Sequence, residues 1–269
     1  MRALQRDLRY FPSRGYTRQF NFPAVSGEDY PYTLASRQIV SAWSILCSCP
    51  PNLSSPFTMK GKTVIPDPRE EVVADPLFLS LWFPSFSEQE MMSHCLSVLH
   101  QFPFSVHRPG IAYVAVHPVS WNEPTILERK FSPGVSPEEA ITIASDLLHE
   151  DYAYVFDAHW DLWTADPSDR QWALTPNHVR FIAQGSEFDE RASETTGQIE
   201  VDFGLDTPFL EEQLQLDAEA QERIRANVHK LVDFTNKVEK NAHANGRLLW
   251  SDSEDNLAQK LIARLQKVQ

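Results

Sequence analysis

The order of predicted strands and helices between residues 77 and 163 constrains the fold of this chain more than any other feature. Short apolar or alternating runs bounded by proline, glycine and polar residues are typical of β-strands. The second and third runs are separated by a turn-forming segment, which predicts a β-hairpin. Four segments follow this strand pattern: 77–83, 111–116, 125–131 and 152–163.

Two helices are predicted between these strands by signals at their amino ends. Ser87 with Glu90 three residues later is a capping-box pattern, and Ser136 followed by Pro137 combines an N-cap residue with proline at the first helical position. The resulting order is β-α-β-β-α-β, which is the order of a ferredoxin-like α+β fold with two helices on one face of an antiparallel sheet. We therefore predict a ferredoxin-like core over residues 77–163.

The segments on either side of this core have different characters. Residues 1–76 contain closely spaced prolines between Pro50 and Pro76 and are predicted to be an irregular N-terminal extension. Residues 164–269 are predicted to add an extra β-hairpin and two C-terminal helices packed on the core. The hairpin strands are expected near 178–183 and 198–203, and the helices near 217–240 and 251–268.

The charge of the chain restricts the partners it can have. Its 269 residues carry a formal net charge of −13, and residues 187–222 alone hold twelve acidic residues against Arg191. So acidic a surface is repelled by nucleic acids and anionic lipids, and no apolar run approaches the ~20 residues of a membrane-spanning helix. We expect no nucleic-acid or membrane partner.

The cysteines indicate the compartment. Three cysteines without a repeated spacing, Cys47, Cys49 and Cys95, do not form a disulfide framework and suit a reducing compartment. We therefore expect a cytoplasmic protein.

One group of polar residues could support chemistry. In a strand, alternation places Asp157, His159 and Asp161 on one face, where two carboxylates around an imidazole could bind a divalent metal or orient a general base. His178 could add a further metal ligand. This pattern suggests a metal-assisted hydrolase, although polar residues at alternate positions are also what a solvent-facing side of a sheet requires. No cofactor motif is present, so a divalent metal is the one cofactor these residues suggest.

The acidic stretch offers a second hypothesis, which is the one we favour. Acidic side chains can attract a basic protein and speed its association, as in an inhibitor or immunity-type factor that blocks a basic target. They can equally serve solubility. We predict a non-catalytic binding or regulatory protein, with a partner surface that includes Glu200, Asp202, Glu211 and Glu212.

Overall fold

The computed structural model describes residues 74–166, 171–211, 216–252 and 256–266 of the chain. The predicted extension therefore lies almost wholly outside the described residues. Seven strands are present there: β1 (Pro76–Trp82), β2 (Ile111–Pro118), β3 (Leu127–Val135), β4 (Tyr152–Ala165), β5 (Trp172–Gln184), β6 (Ile199–Leu205) and β7 (Gly246–Ser251). The α-helices in the same ranges are α1 (Glu88–Leu99), α2 (Pro137–Ser145), α3 (Ser193–Thr196), α4 (Thr207–Leu210), α5 (Ala218–Asn241) and α6 (Leu257–Leu265).

The two predicted helix starts of the central region are confirmed. A carboxylate oxygen of Glu90 accepts hydrogen bonds from the backbone amide of Ser87 at 3.3 Å and from its hydroxyl at 2.9 Å, at the first turn of α1. The hydroxyl of Ser136 accepts from the amide of Glu139 at 3.2 Å at the start of α2. These local bonds satisfy amides that have no partner within the helix, which is why the sequence predicts them well.

All seven strands belong to one antiparallel sheet in the order β3-β2-β4-β5-β6-β1-β7. The predicted hairpin of β2 and β3 is present, and β5 pairs with β6 as expected. The chain is thus α+β, as predicted.

The strand order differs from the predicted ferredoxin-like order. That order would place β4 beside β1 and β3 between β1 and β2, whereas β5 and β6 separate β4 from β1 and β2 lies between β3 and β4. The physical reason is the long β4–β5 hairpin, in which thirteen residue pairs run from Ala153–Gln184 to Ala165–Trp172. Its connection is short, so closing it costs little entropy, and β5 occupies the edge of β4 that β1 would need.

The C-terminal region contains both predicted helices and a strand that was not predicted. Strand β7 lies between α5 and α6 and pairs with β1. It has only six residues and begins at the glycine of the Asn245-Gly246 turn signal, so its local sequence does not indicate a strand. The second C-terminal helix begins later than the predicted start near residue 251, because Ser251 ends β7 and α6 begins at Leu257.

One face of the sheet forms the main apolar core with the helices. Alternate residues of β4, among them Tyr154, Phe156 and Trp160, are fully buried and pack in one cluster with residues of α1, α2, α5 and α6. The ring of Trp160 lies 5.5 Å from that of Phe102 and 5.3 Å from that of Phe203. No helix in the described ranges is long and apolar enough to cross a membrane.

Candidate binding face

The opposite face of the sheet carries the predicted site residues and is here called the open face, because the helices of the main core pack on the other side. Several of its central residues are nevertheless buried, with Phe78 6% exposed and Asp157 8% exposed. Its apolar contacts include a small cluster of Ala115, Val155 and Ile182 with Tyr113 packed against it. They also include the stacked rings of Phe78 and Trp250, whose centres are 4.7 Å apart. Register places one row of side chains across all seven strands of this face: Lys130, Tyr113, Asp157, Arg180, Asp202, Phe78 and Trp250. The neighbouring row is Glu128, Ala115, Val155, Ile182, Glu200, Ser80 and Leu248.

Loops border the open face at two of its ends. Past Ile182, the side chain of Gln184 donates a hydrogen bond to the hydroxyl of Thr196 at 3.0 Å, so the β5–β6 connection folds over this end. At the other end the segment 105–108 runs beside β4, and the amide of Ser105 donates to the carbonyl of His159 at 2.7 Å. The charged row of the face lies between these two borders.

Asp157 is the central carboxylate of the open face and is held by two neighbours. Arg180 binds it in a bidentate manner, with Nε 2.8 Å from Oδ1 and Nη2 3.0 Å from Oδ2. His178 Nε2 lies 3.1 Å from Oδ2, and the Asp157 side chain is only 11% exposed. Burial alone would raise the pKa of Asp157, but the hydrogen bonds from His178 and Arg180 hold it below its ordinary value. Asp157 is therefore an ionised carboxylate whose oxygens are already occupied.

His159 lies beside this group, next to a loop arginine. Its Nε2 is 3.3 Å from Nη1 of Arg108, and its ring centre is 5.7 Å from that of His178. Its Nδ1 is buried and has no hydrogen-bond partner among the residues that the structure describes. Burial lowers the pKa of His159, and the nearby charges of His178 and Arg108 lower it further. The negative charge of Asp157 acts in the opposite direction and partly offsets the effect of His178 and Arg108 on this pKa.

Asp161 holds a loop in place. Its Oδ1 accepts a hydrogen bond from the Ser105 hydroxyl at 2.6 Å, and its Oδ2 accepts one from the Val106 amide at 3.0 Å. Burial would raise the pKa of Asp161, but these two hydrogen bonds keep it below its ordinary value. The Ser105 hydroxyl also accepts from the amides of His107 and Arg108, both at 3.1 Å. Asp161 therefore fixes the loop that carries Arg108.

The structure brings Asp157, His159 and His178 together but turns the carboxylate of Asp161 away towards the loop. The carboxylate that would anchor a metal, Asp157, is already bound by Arg180. Within the described ranges there is no group of three or more His, Cys, Asp or Glu side chains suited to holding a metal ion. The divalent-metal hypothesis thus receives no support from this part of the chain.

The four acidic residues predicted to bind a partner do not form one cluster. Glu200 and Asp202 project from β6 onto the open face, where Asp202 is opposite Arg180 and Glu200 is opposite Ile182. Glu211 instead follows α4, and burial raises its pKa while the charge of Arg264 lowers it. Glu212 lies outside the described residues.

Sequence reasoning missed two basic residues of the open face, Arg180 and Arg108. Alternation along β5 places Arg180 on the same face as His178, so the facing could have been inferred. Its pairing with Asp157 could not have been inferred, because Asp157 is 23 residues away and the pair depends on the β4–β5 register. No sequence signal links Arg108 to His159.

The chain is not significantly similar to any protein-family model, curated protein or solved structure with which it was compared. What it can bind must therefore follow from the chemistry of the open face.

Proposed function

We propose that this is a non-catalytic binding protein that holds a basic protein partner against the open face of its sheet. The observation that carries this proposal is the row of charged and aromatic side chains that crosses all seven strands of a face opposite the helix-packed core. At about 4.8 Å per strand spacing, this row is about 30 Å wide. That width suits a protein surface better than a small molecule.

The charged side chains of the open face favour a basic partner. Glu200 and Asp202 lie two residues apart on β6 and share the open face with Glu128. In the central rows, acidic side chains outnumber Lys130 and Arg180, the two basic side chains there. Such a surface steers a basic protein during encounter and adds specificity.

The hydrogen bonds of Asp157 and Asp161, the two carboxylates of β4, favour a binding protein over a hydrolase. A metal-assisted hydrolase needs carboxylate oxygens free for a metal or a water. Those of Asp157 are bound by Arg180 and His178, and those of Asp161 by Ser105 and Val106. An inhibitor or immunity-type role at a cytoplasmic site fits such a non-catalytic surface, together with the cysteine pattern.

The test is capture of a partner from extracts of the source cells on the immobilised full-length chain. We expect a basic protein to be retained at low salt and released at about 0.5 M salt, where exposed charges are strongly screened. Glu200→Gln combined with Asp202→Asn should reduce the retained amount about tenfold, the effect of losing about 1.4 kcal/mol of binding energy.

A matched control uses acidic residues on the helix side of the sheet. Glu139 on α2 and Asp233 on α5 are both exposed, so Glu139→Gln with Asp233→Asn removes the same charge elsewhere. This control should retain the partner as the wild type does. The proposal would be contradicted if both double variants retained the partner equally poorly. It would also be contradicted if no protein were retained less by the Glu200→Gln, Asp202→Asn variant than by the control.

A further inference from the structure

We propose that the outer edge of β7 is a dimerisation surface, on which the β7 strand of a second copy of this chain pairs antiparallel about a twofold axis. The sheet then continues from one copy into the other. This inference goes beyond the proposed function of the open face and does not depend on a basic partner. It rests on the difference between the two edge strands of the sheet, β3 and β7, and on the self-complementary sequence of β7.

Strand β3, at one edge of the sheet, has features that keep an edge strand from pairing with another chain. Its residues Glu128, Arg129 and Lys130 are all charged and exposed. Pro133, which has no amide hydrogen to donate, lies within the strand, and the pairing with β2 shifts in register between Lys130 and Val135. Charged side chains, proline and bulges are common protections of an exposed edge. Association through β3 is therefore disfavoured.

Strand β7, at the other edge, lacks these protections. Within the described ranges β1 is the one strand that pairs with it, on its inner side. Gly246–Ser251 contains a single charged residue, Arg247, and no proline. The Arg247 side chain is 11% exposed and is held by α5, where Nη2 lies 2.8 Å from Oε2 of Glu239 and Nη1 donates to the side-chain oxygen of Asn236 at 3.3 Å. Charge within β7 therefore does not oppose strand pairing.

The apolar residues of β7 remain partly exposed. Leu248 is 44% exposed, and neither Leu249 nor Trp250 is fully buried. The indole of Trp250 is fixed, because it stacks on Phe78 with ring centres 4.7 Å apart and its Nε1 donates to the Ser80 hydroxyl at 2.9 Å. A side chain that is already fixed loses little entropy when a second strand covers it. An apolar edge of this kind is a template for another strand.

The sequence of β7 is complementary to itself in one antiparallel register. A twofold axis through Leu249, perpendicular to the sheet, places Leu249 opposite its own counterpart and Leu248 opposite Trp250 of the second copy. Every apolar residue of the strand then faces an apolar residue, and such cross-strand pairs contribute about 0.2–1 kcal/mol each. An axis through Leu248 or Trp250 instead places apolar side chains opposite glycine, arginine, serine or aspartate. This self-complementarity is the reason for choosing a second copy as the occupant.

The proposed dimer also extends the open face. Trp250 and Leu248 are the β7 members of the two rows that cross this face. A twofold axis perpendicular to the sheet keeps the open faces of both copies on the same side. The two rows therefore continue across the shared edge into the second copy.

Sedimentation velocity of the full-length chain tests the association. Between about 1 and 200 µM we expect a reversible monomer–dimer equilibrium with a Kd of about 10 µM. Leu248→Lys places an ammonium group opposite Trp250 of the second copy and should weaken dimerisation at least about tenfold. Leu174→Lys, at a leucine of β5 that is 47% exposed, makes the same change away from this edge and should leave the Kd unchanged. A wild-type chain that stays monomeric, or an equal effect of both variants, would overturn the proposal.

Single cysteines test the register. In a background in which Cys47 and Cys49 are replaced by serine and the buried Cys95 is kept, Leu249→Cys should give a disulfide-linked dimer on mild oxidation. Opposed Cα atoms of an antiparallel pair lie about 4.5–5.5 Å apart, within the reach of a disulfide. Ser251→Cys lies about 13 Å from its own counterpart in this register and should not cross-link. Cross-linking at neither position, or as much at Ser251→Cys as at Leu249→Cys, would overturn the proposal.

The dimer and the proposed partner surface can fail separately. Glu200→Gln with Asp202→Asn changes β6, which β1 separates from β7, and should leave the Kd of dimerisation unchanged. Sedimentation and cross-linking of the purified chain require no other protein. A chain that dimerises through β7 but retains no basic protein would refute the proposed function alone.

Discussion

Replacing Arg180 with methionine is expected to lower the free energy of unfolding by about 2 kcal/mol. The variant keeps the apolar stem of the side chain and removes the bidentate partner of Asp157, leaving a carboxylate that is 11% exposed with His178 as its remaining neighbour. Exposed ion pairs contribute up to about 1 kcal/mol, whereas removing one partner of a buried pair costs about 3–5 kcal/mol. Arg180 is 36% exposed, so an intermediate value is expected. Urea unfolding at pH 7 measures it.

Two further variants show whether the loss comes from the ion pair. Adding Asp157→Asn to Arg180→Met removes the unpaired charge and should restore about 1 kcal/mol. Arg129→Met, at an exposed site of β3, should change stability by less than about 0.5 kcal/mol. If Arg180→Met is as stable as Arg129→Met, the pair does not stabilise the sheet.

Replacing Trp160 with alanine is expected to cost about 4 kcal/mol, because large-to-small changes at fully buried aromatic residues cost about 3–5 kcal/mol. Trp160 has no exposed surface and lies between the strand face and the aromatic residues Phe102, Phe203 and Phe209. The expected cost combines the lost transfer free energy of the indole side chain with the free energy of the cavity that it leaves. Chemical denaturation followed by far-UV circular dichroism measures it without relying on tryptophan fluorescence.

Trp121 provides the control for this substitution. It is 41% exposed and contacts Phe188 and His117 at the edge of the open face. Trp121→Ala should cost about 1 kcal/mol, since less surface is returned to water. Similar losses for the two tryptophans would show that Trp160 is not in the centre of the core.

Most individual elements could be predicted from the sequence, because their signals are local. The caps at Ser87 and Ser136, the alternation in β4 and β6, and the apolar stripe of α5 each involve residues within a few positions of one another. Strand order is not local. It depends on which strand lies beside β4, and β5 (Trp172–Gln184) makes a hairpin with β4 that the β-α-β-β-α-β pattern does not contain.

For the candidate site, the sequence predicts the facing of the residues but not their partners. Alternation correctly placed Asp157, His159 and Asp161 on one side of β4. It could not show that the carboxylate of Asp161 binds Ser105, 56 residues earlier, or that Arg180 occupies Asp157. The residue types suggested a metal, whereas in the folded chain Arg180 binds the carboxylate of Asp157, and Ser105 and Val106 bind that of Asp161.

The position of the charged row depends on β6 lying between β5 and β1. Interstrand nuclear Overhauser effects between backbone protons measure this directly, because Asp202 is paired with Arg180 on one side and with Phe78 on the other. We predict contacts of Asp202 to both residues and none between β1 and β4. Contacts between β1 and β4, with none from Asp202 to Phe78, would contradict the sheet order and with it the open face.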